Sequence, residues 1–327
     1  GWTGRPARRD HALRDHARRT LATIDSEAPI RTILLLAMIT VAEATIGVFV
    51  KLVDGWIPIA TLNFYALVLA AAFLFATVPW ASGKRLRFPS DNLRDTVIVG
   101  LLIALQISVF NFAMTLAPIA NVVIFWSVAP FFSFLFAWAF LGERPTWTHA
   151  AIFAVALVGI VIAKPFSGGY VAGNLIALAD AAIYAAMVTY LRFEGKTEDD
   201  PDIPWQMAVA ALVLAPSLAI WGPGTPFSAV AHPAVGVALP VALWVIGLGV
   251  VSTGTSYLGI SLVIRRIRAG TYTLVDVIVS PIVAAMFGWL IFGEVPGRGM
   301  IVGGALLLAS GAWLSRAMAR RRDQAAA

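Results

Sequence analysis

The sequence predicts an all-α integral membrane protein of ten transmembrane helices, arranged as two inverted five-helix repeats around a central cavity. Three observations carry that expectation. Of 327 residues, 59% are hydrophobic and 13% charged. That is about half the ~25% charged content of soluble domains, so a single soluble core could not hide the apolar surface. The apolar residues gather into runs close to the roughly 20 residues that a helix needs to cross a ~30 Å hydrocarbon layer. One half of the chain also repeats a pattern found in the other.

The first five runs are Ile33–Leu52, Pro58–Val78, Thr96–Thr115, Ala120–Leu141 and Trp147–Ala163. The second five are Asn174–Leu191, Pro204–Trp221, Leu239–Ile264, Thr271–Phe292 and Gly297–Trp313. The third and fourth form one apolar tract divided at Ala117-Pro118, because Pro disfavours helix in the residue before it. Lipid leaves only helices or a closed barrel able to satisfy the backbone. Barrel strands would be about ten residues long with alternating polarity, and these runs are neither. Residues 1–30 read as a basic cytoplasmic tail, part of it an expected expression remnant since the chain opens Gly1-Trp2, and 317–327 as a second basic tail.

Charge gives the orientation. With the N-terminus inside, 21 of the 24 Lys and Arg fall on the cytoplasmic side; only Lys51, Lys164 and Arg298 fall on the other. Positive residues concentrate in cytoplasmic loops, and a miscounted helix would invert everything after it and spoil the bias. The +6 net charge is thus a topology signal, and no nucleic-acid partner is expected. With no cysteine, thiol chemistry and zinc–thiolate sites are excluded. The loops are too short to hold a soluble catalytic module.

The internal repeat is visible at one offset. Pro130, Phe136, Trp138, Gly142, Glu143 and Pro145 recur 151 residues later as Pro281, Phe287, Trp289, Gly293, Glu294 and Pro296. A weaker match aligns Glu43 with Asp180 at offset 137. The repeats are placed at 31–166 and 172–316. Each holds five helices, an odd number, so the second copy enters the membrane upside down. Inverted repeats about a midplane axis are a recurring plan of secondary transporters.

Five-plus-five helices, with a Pro ahead of a Gly-Glu-x-Pro in each half (Gly142-Glu143-Arg144-Pro145 and Gly293-Glu294-Val295-Pro296), resemble the drug/metabolite transporter superfamily, EamA type. The resemblance covers about residues 31–316. Within it the chain looks most like bacterial aromatic amino-acid exporters of the YddG type. The family's first helix often carries Trp-Gly before a Lys; here Gly47 and Lys51 are kept and the Trp is missing. The resemblance implies an inner-membrane exporter with both termini cytoplasmic.

Candidate residues come from polarity inside the runs. Charges in the membrane interior cost about 2.5–3.5 kcal/mol on insertion scales and usually mark function. Glu43, Asp180 and Asp276 are the acids there, each either a proton-coupling or substrate group or a hydrogen-bonded packing residue. Glu143 and Glu294 read as caps or interface pairs, and Lys51 as snorkelling to the outer surface. Matching positions of the two halves should line a cavity on the axis. This selects Asn121 and Phe125 with Tyr272 and Asp276, Gln106 with Tyr257, Phe110 with Ser261, and Glu43 and Gly47 with Asp180 and Tyr184. The expected substrate set is Glu43, Gln106, Asn121, Phe125, Tyr184, Tyr257, Ser261, Tyr272 and Asp276, with Pro130 and Pro281 as hinges or static kinks.

This set holds acids, amides, hydroxyls and rings, but no Lys or Arg. Phosphorylated substrates are therefore not expected, and a zwitterion or cation with a flat apolar side chain is. The chain has no ATP-binding loop, so the drive is a substrate gradient or a coupled ion. The favoured form is facilitated export of aromatic or amphipathic amino acids, the alternative a broad-specificity drug or metabolite (organic cation) exporter, proton-coupled or not. An enzyme is not expected: His11, His16, His149 and His232 all lie in tails, loops or helix ends. No cofactor or metal is expected. The partners are the bilayer and a small-molecule substrate, in a monomer or a weak homodimer joined through Gly299 and Gly303.

Overall fold

The computed structural model describes residues 29–82, 86–142, 146–163, 169–194, 202–231, 236, 238–263 and 269–326. They are overwhelmingly helical. Of the predicted runs, Trp147–Ala163 matches its helix end to end, and four others are single helices within a few residues of expectation: Ile59–Ser82, Leu93–Leu116, Val171–Phe193 and Ala269–Phe292. The last run becomes the helix Arg298–Ala326. The remaining four are interrupted, each for a local reason.

The first run is α1 (Pro29–Ala44) and α2 (Ile46–Val53), parted at Thr45. The Thr45 hydroxyl donates to the Ala42 carbonyl at 2.7 Å and shares a 2.8 Å hydrogen bond with Ser252. After α3 (Ile59–Ser82) and α4 (Leu93–Leu116), the fourth run splits into α5 (Ile119–Trp126) and α6 (Ala129–Leu141). Ser127 turns its hydroxyl back onto the Val123 carbonyl at 2.7 Å, and Pro130, in the first turn of α6, has no N–H to continue the ladder. Pro130 therefore stands in the first turn of a new helix, at a break within the run rather than inside a continuous helix. α7 (Trp147–Ala163) and α8 (Val171–Phe193) are continuous. The seventh run breaks at Ala215-Pro216 into α9 (Ile203–Leu214) and α10 (Ser217–Trp221).

The eighth run departs furthest from expectation. Leu239 belongs to a strand: β1 (Ala229–Ala231) and β2 (Ala238–Pro240) pair antiparallel, with Val230 opposite Leu239. Helix begins only at α11 (Val241–Ile246), passes through a π-helix at Gly247–Gly254 and returns to α geometry in α12 (Thr255–Val263). Such π segments are rare and gather at functional sites. α13 (Ala269–Phe292) keeps Pro281 inside a continuous helix, and α14 (Arg298–Ala326) ends the described chain.

Seven stretches of the described residues are long and apolar enough to cross a membrane, and three further apolar helices are shorter: Trp147–Ala163, Val279–Phe292 and Arg298–Leu314. The outer surface agrees. Trp147 is 91% exposed, Trp80 88% and Phe140 71%, an arrangement suited to lipid and its interfaces rather than to water.

Small residues let two helices approach closely. A Cβ on Gly303 of α14 would collide with the Gly159 carbonyl and Ala163 of α7, and one on Gly299 would stand 2.8 Å from the Ile162 carbonyl. The small-residue stripe predicted as a homodimer seam is therefore occupied within the chain. The glycines of the two Gly-Glu-x-Pro motifs share a conformation that only glycine adopts cheaply: Gly142 ends α6 at φ 72° and Gly293 ends α13 at φ 67°, each as a helix terminator.

Candidate functional site

Helix breaks and close packing leave a cavity of about 120 Å³, bordered by α1, α2, α4, α5, α8, α12, α13 and the π-helix. Four of the predicted substrate residues line it: Glu43, Gln106, Tyr184 and Tyr257. No Lys or Arg does.

Its polar side is built on α1 and α13. Ser280 donates its hydroxyl to Glu43 Oε2 at 2.9 Å, next to Pro281, which also lines the cavity. Thr253, Ser256, Tyr257 and Ile260 follow at i, i+3, i+4 and i+7 on the run from the π-helix into α12, the spacing of one helix face. Its aromatic side comes from α4, α5 and α8. Trp126 lies between Tyr184, at 5.1 Å between ring centroids, and Phe110, at 6.2 Å. Beside the rings, Gln106 donates to Asp180 Oδ2 at 3.2 Å, and Asn111 donates to Asn63 Oδ1 at 2.8 Å.

Asp180 itself is fully buried behind Gln106, off the cavity wall. The other predicted residues distribute as follows. Asn121 faces α8, where it donates to Asn174 at 3.2 Å. Phe125 is fully buried in the main hydrophobic cluster. The reason is rotation: a helix turns about 100° per residue, so Val123 and Trp126 present the cavity face of α5, and Asn121 and Phe125 fall on a different face. Ser261 similarly falls off the stripe and donates to the Leu258 carbonyl of its own helix at 2.8 Å. The side chains of Tyr272 and Asp276 lie outside the described residues, as does Glu143.

Sequence reasoning missed Asn111, Trp126, Thr253, Ser256 and Ser280. Thr253 and Ser256 were readable from the helical spacing back from Tyr257, and Ser280 from its place beside Pro281. Trp126 was one ring among 11 Trp and 19 Phe, and nothing in the sequence marked it out. Three of these residues, Asn111, Trp126 and Ser256, carry a buried polar atom (Oδ1, Nε1 and Oγ) without a partner among the described residues. Such an atom costs about 1–3 kcal/mol when left unsatisfied.

Lys51 does not snorkel free. Its ammonium pairs with Glu294 Oε1 at 2.6 Å, and Glu294 Oε2 accepts the Ile119 amide N–H at 2.7 Å. Glu294 thus caps α5 from a distant part of the chain.

A helical membrane protein with an acid, hydroxyl and aromatic cavity among its helices, lined by no basic residue among the described ones, has the build of a small-molecule carrier. A family profile described as the EamA-like transporter family matches residues 30–163 and again 171–316. The chain belongs to that family. Among curated relatives it is similar to a probable terminal-alkyne amino-acid exporter of Streptantibioticus cattleyicolor, 28% identical over 89% of this chain and 95% of that one. It is similar also to the pseudopaline exporter CntI of Pseudomonas aeruginosa (25%, covering 87% and 95%) and to a riboflavin transporter of Brucella anthropi (24%, covering 80% and 89%). A solved protein crystal structure, 20% identical, shares the fold with a TM-score of 0.60 over 89% of this chain and 99% of that one.

Proposed function

We propose that this protein is a secondary transporter that exports amphipathic amino acids, aromatic ones in its sharpest form, across a bacterial inner membrane by alternating access. One observation carries the reading: a cavity with no basic residue among its described lining joins an acid–hydroxyl side (Glu43, Ser280, Ser256) to a ring cluster (Phe110, Trp126, Tyr184). A carboxylate held in this setting suits an ammonium, and ring faces suit a flat side chain or a cation. The Ser256 hydroxyl and Trp126 N–H, without partners among the described residues, are donors for a substrate carboxylate. That supplies a zwitterion's needs without Arg.

The architecture proposed with it is ten spans in two inverted halves, both termini inside. The seven long and three short apolar helices support the count. The two family matches and the shared geometry of Gly142 and Gly293 support the duplication. Two inverted copies can exchange conformations of similar energy, the basis of alternating access.

The relatives named for an amino acid, pseudopaline and riboflavin keep the broad-specificity reading as the second one. Purified protein in liposomes, offered Phe, Trp, Tyr, Thr, Lys and a flat organic cation with and without a pH gradient, decides between them. Uptake of aromatic amino acids, competed by one another and indifferent to the gradient, is the expected result. Uptake of the organic cation alone, driven by the gradient, overturns it.

A further inference from the structure

Helix α13 ends in a left-handed turn at Gly293, φ 67°. The Glu294 N–H reaches back to the Gly288 carbonyl at 3.2 Å, and Gly293 N–H to Trp289 at 3.0 Å. This folds the Glu294 carboxylate over its own helix, where a Cβ on Gly288 would be only 2.8 Å from Oε2. From there the carboxylate bridges the Lys51 ammonium at the end of α2 and the first amide of α5. Both charged side chains are mostly shielded, Lys51 being 20% and Glu294 13% exposed. Enclosure lessens the screening of such a pair by salt and water, and removing one partner leaves the other charge poorly solvated.

The same two helical runs are tied again at the cavity by Glu43 and Ser280. Glu43 precedes Lys51 by eight residues, roughly 12 Å of helix, and Ser280 precedes Glu294 by fourteen, roughly 21 Å. Between the two ties the seam is filled. Ile119 is fully buried, Met114 is 1% exposed, and a Cβ on Gly47 would stand 3.1 Å from both side chains. A path along this seam from the cavity to that end of the molecule requires α2 and the start of α5 to part from the end of α13.

We infer that Lys51 and Glu294 form a latch of the transport cycle, closing the cavity on the side where α2 ends, with the α5 amide as its third member. The inference rests on the alternating-access reading. Its test needs no substrate, so failure of the substrate assignment and failure of the latch are separable. The chain has no cysteine, which makes single-cysteine labelling clean. Ala284→Cys reports the cavity, and Asp54→Cys, in the exposed turn after α2, identifies which compartment that end faces. Labelling with a membrane-impermeant thiol reagent in sealed vesicles is compared from the two sides.

Lys51→Gln and Glu294→Gln are expected to raise Ala284→Cys labelling from the latch side by about tenfold, while Lys51→Arg stays near the parent. Glu294→Gln keeps an acceptor for the Ile119 amide, so it isolates the ion pair from the cap. Monodispersity in detergent is checked for each variant, and where Glu294→Gln does not fold, Lys51→Gln alone decides. Equal latch-side labelling in the parent and both neutral variants, whatever their melting temperatures, overturns the latch and leaves a static brace.

Discussion

Replacing Glu43 by Gln tests the substrate assignment most directly. Gln preserves the size of the side chain and an acceptor for the Ser280 hydroxyl, now 2.9 Å from Glu43 Oε2, while removing the charge. Two unit charges 4 Å apart attract by about 4 kcal/mol at an effective dielectric of 20, and desolvation offsets part of that. Hydrogen bonds to charged groups are worth about 1.5–3 kcal/mol net. At 1.4 kcal/mol per tenfold, substrates bearing an ammonium should lose about 10- to 100-fold in apparent affinity. The assay is competition against labelled aromatic amino acid in proteoliposomes, using phenylalanine, phenethylamine and 3-phenylpropionate. The first two should weaken, and the third, which has no ammonium, should bind as well or better. If Glu43→Gln lowers the melting temperature yet leaves all three inhibition constants unchanged, Glu43 is a brace for Ser280 and the ammonium site is elsewhere.

Three further changes separate the remaining ideas. Gly303→Val forces a branched side chain against the Gly159 carbonyl and Ala163; overpacking costs about 1–3 kcal/mol, read as a lower melting temperature in detergent, and an unchanged value would show that α7 and α14 move apart freely. Trp126→Ala should weaken aromatic substrates by about tenfold, from ring-pair energies of about 0.5–1.5 kcal/mol plus lost apolar area, while Trp126→Phe keeps a ring beside Tyr184 and loses the N–H donor; equal effects on aromatic and aliphatic amino acids would contradict the ring cluster's role. Asp180→Asn keeps a partner for Gln106 and removes a carboxylate from the apolar interior, so stability should hold or rise and transport stay within about twofold; a tenfold loss of rate would place Asp180 in the transport cycle.

The helical membrane build was legible because its cause is local. A run of about 20 apolar residues must satisfy its own backbone in lipid, whatever surrounds it, and Trp147–Ala163 shows how closely hydropathy alone places such an element. Interruptions were less legible. Pro130 was visible, but whether it bends a helix or begins one depended on the Ser127 hydroxyl capturing the Val123 carbonyl. The π-helix at Gly247–Gly254 left no periodicity signature.

The site was half legible for a related reason. Polarity and repeat matching found Glu43, Gln106, Tyr184 and Tyr257, since burying such groups in lipid needs a cause. They could not fix the rotation of each helix, and one residue of error moves a side chain by about 100°. That error exchanges Phe125 for Trp126.

By itself, then, the amino-acid sequence determined the lipid-embedded helical class, the motif duplication and the chemical character of the interior, because composition and spacing act through short-range physics. Tertiary packing decided which faces meet. It brought Ser280 to Glu43 across 237 residues and Glu294 to the Ile119 amide across 175. It also turned the small-residue stripe of α14 inward onto α7. Such pairings depend on how helices distant in the chain rotate and dock against one another, which no local run of residues encodes.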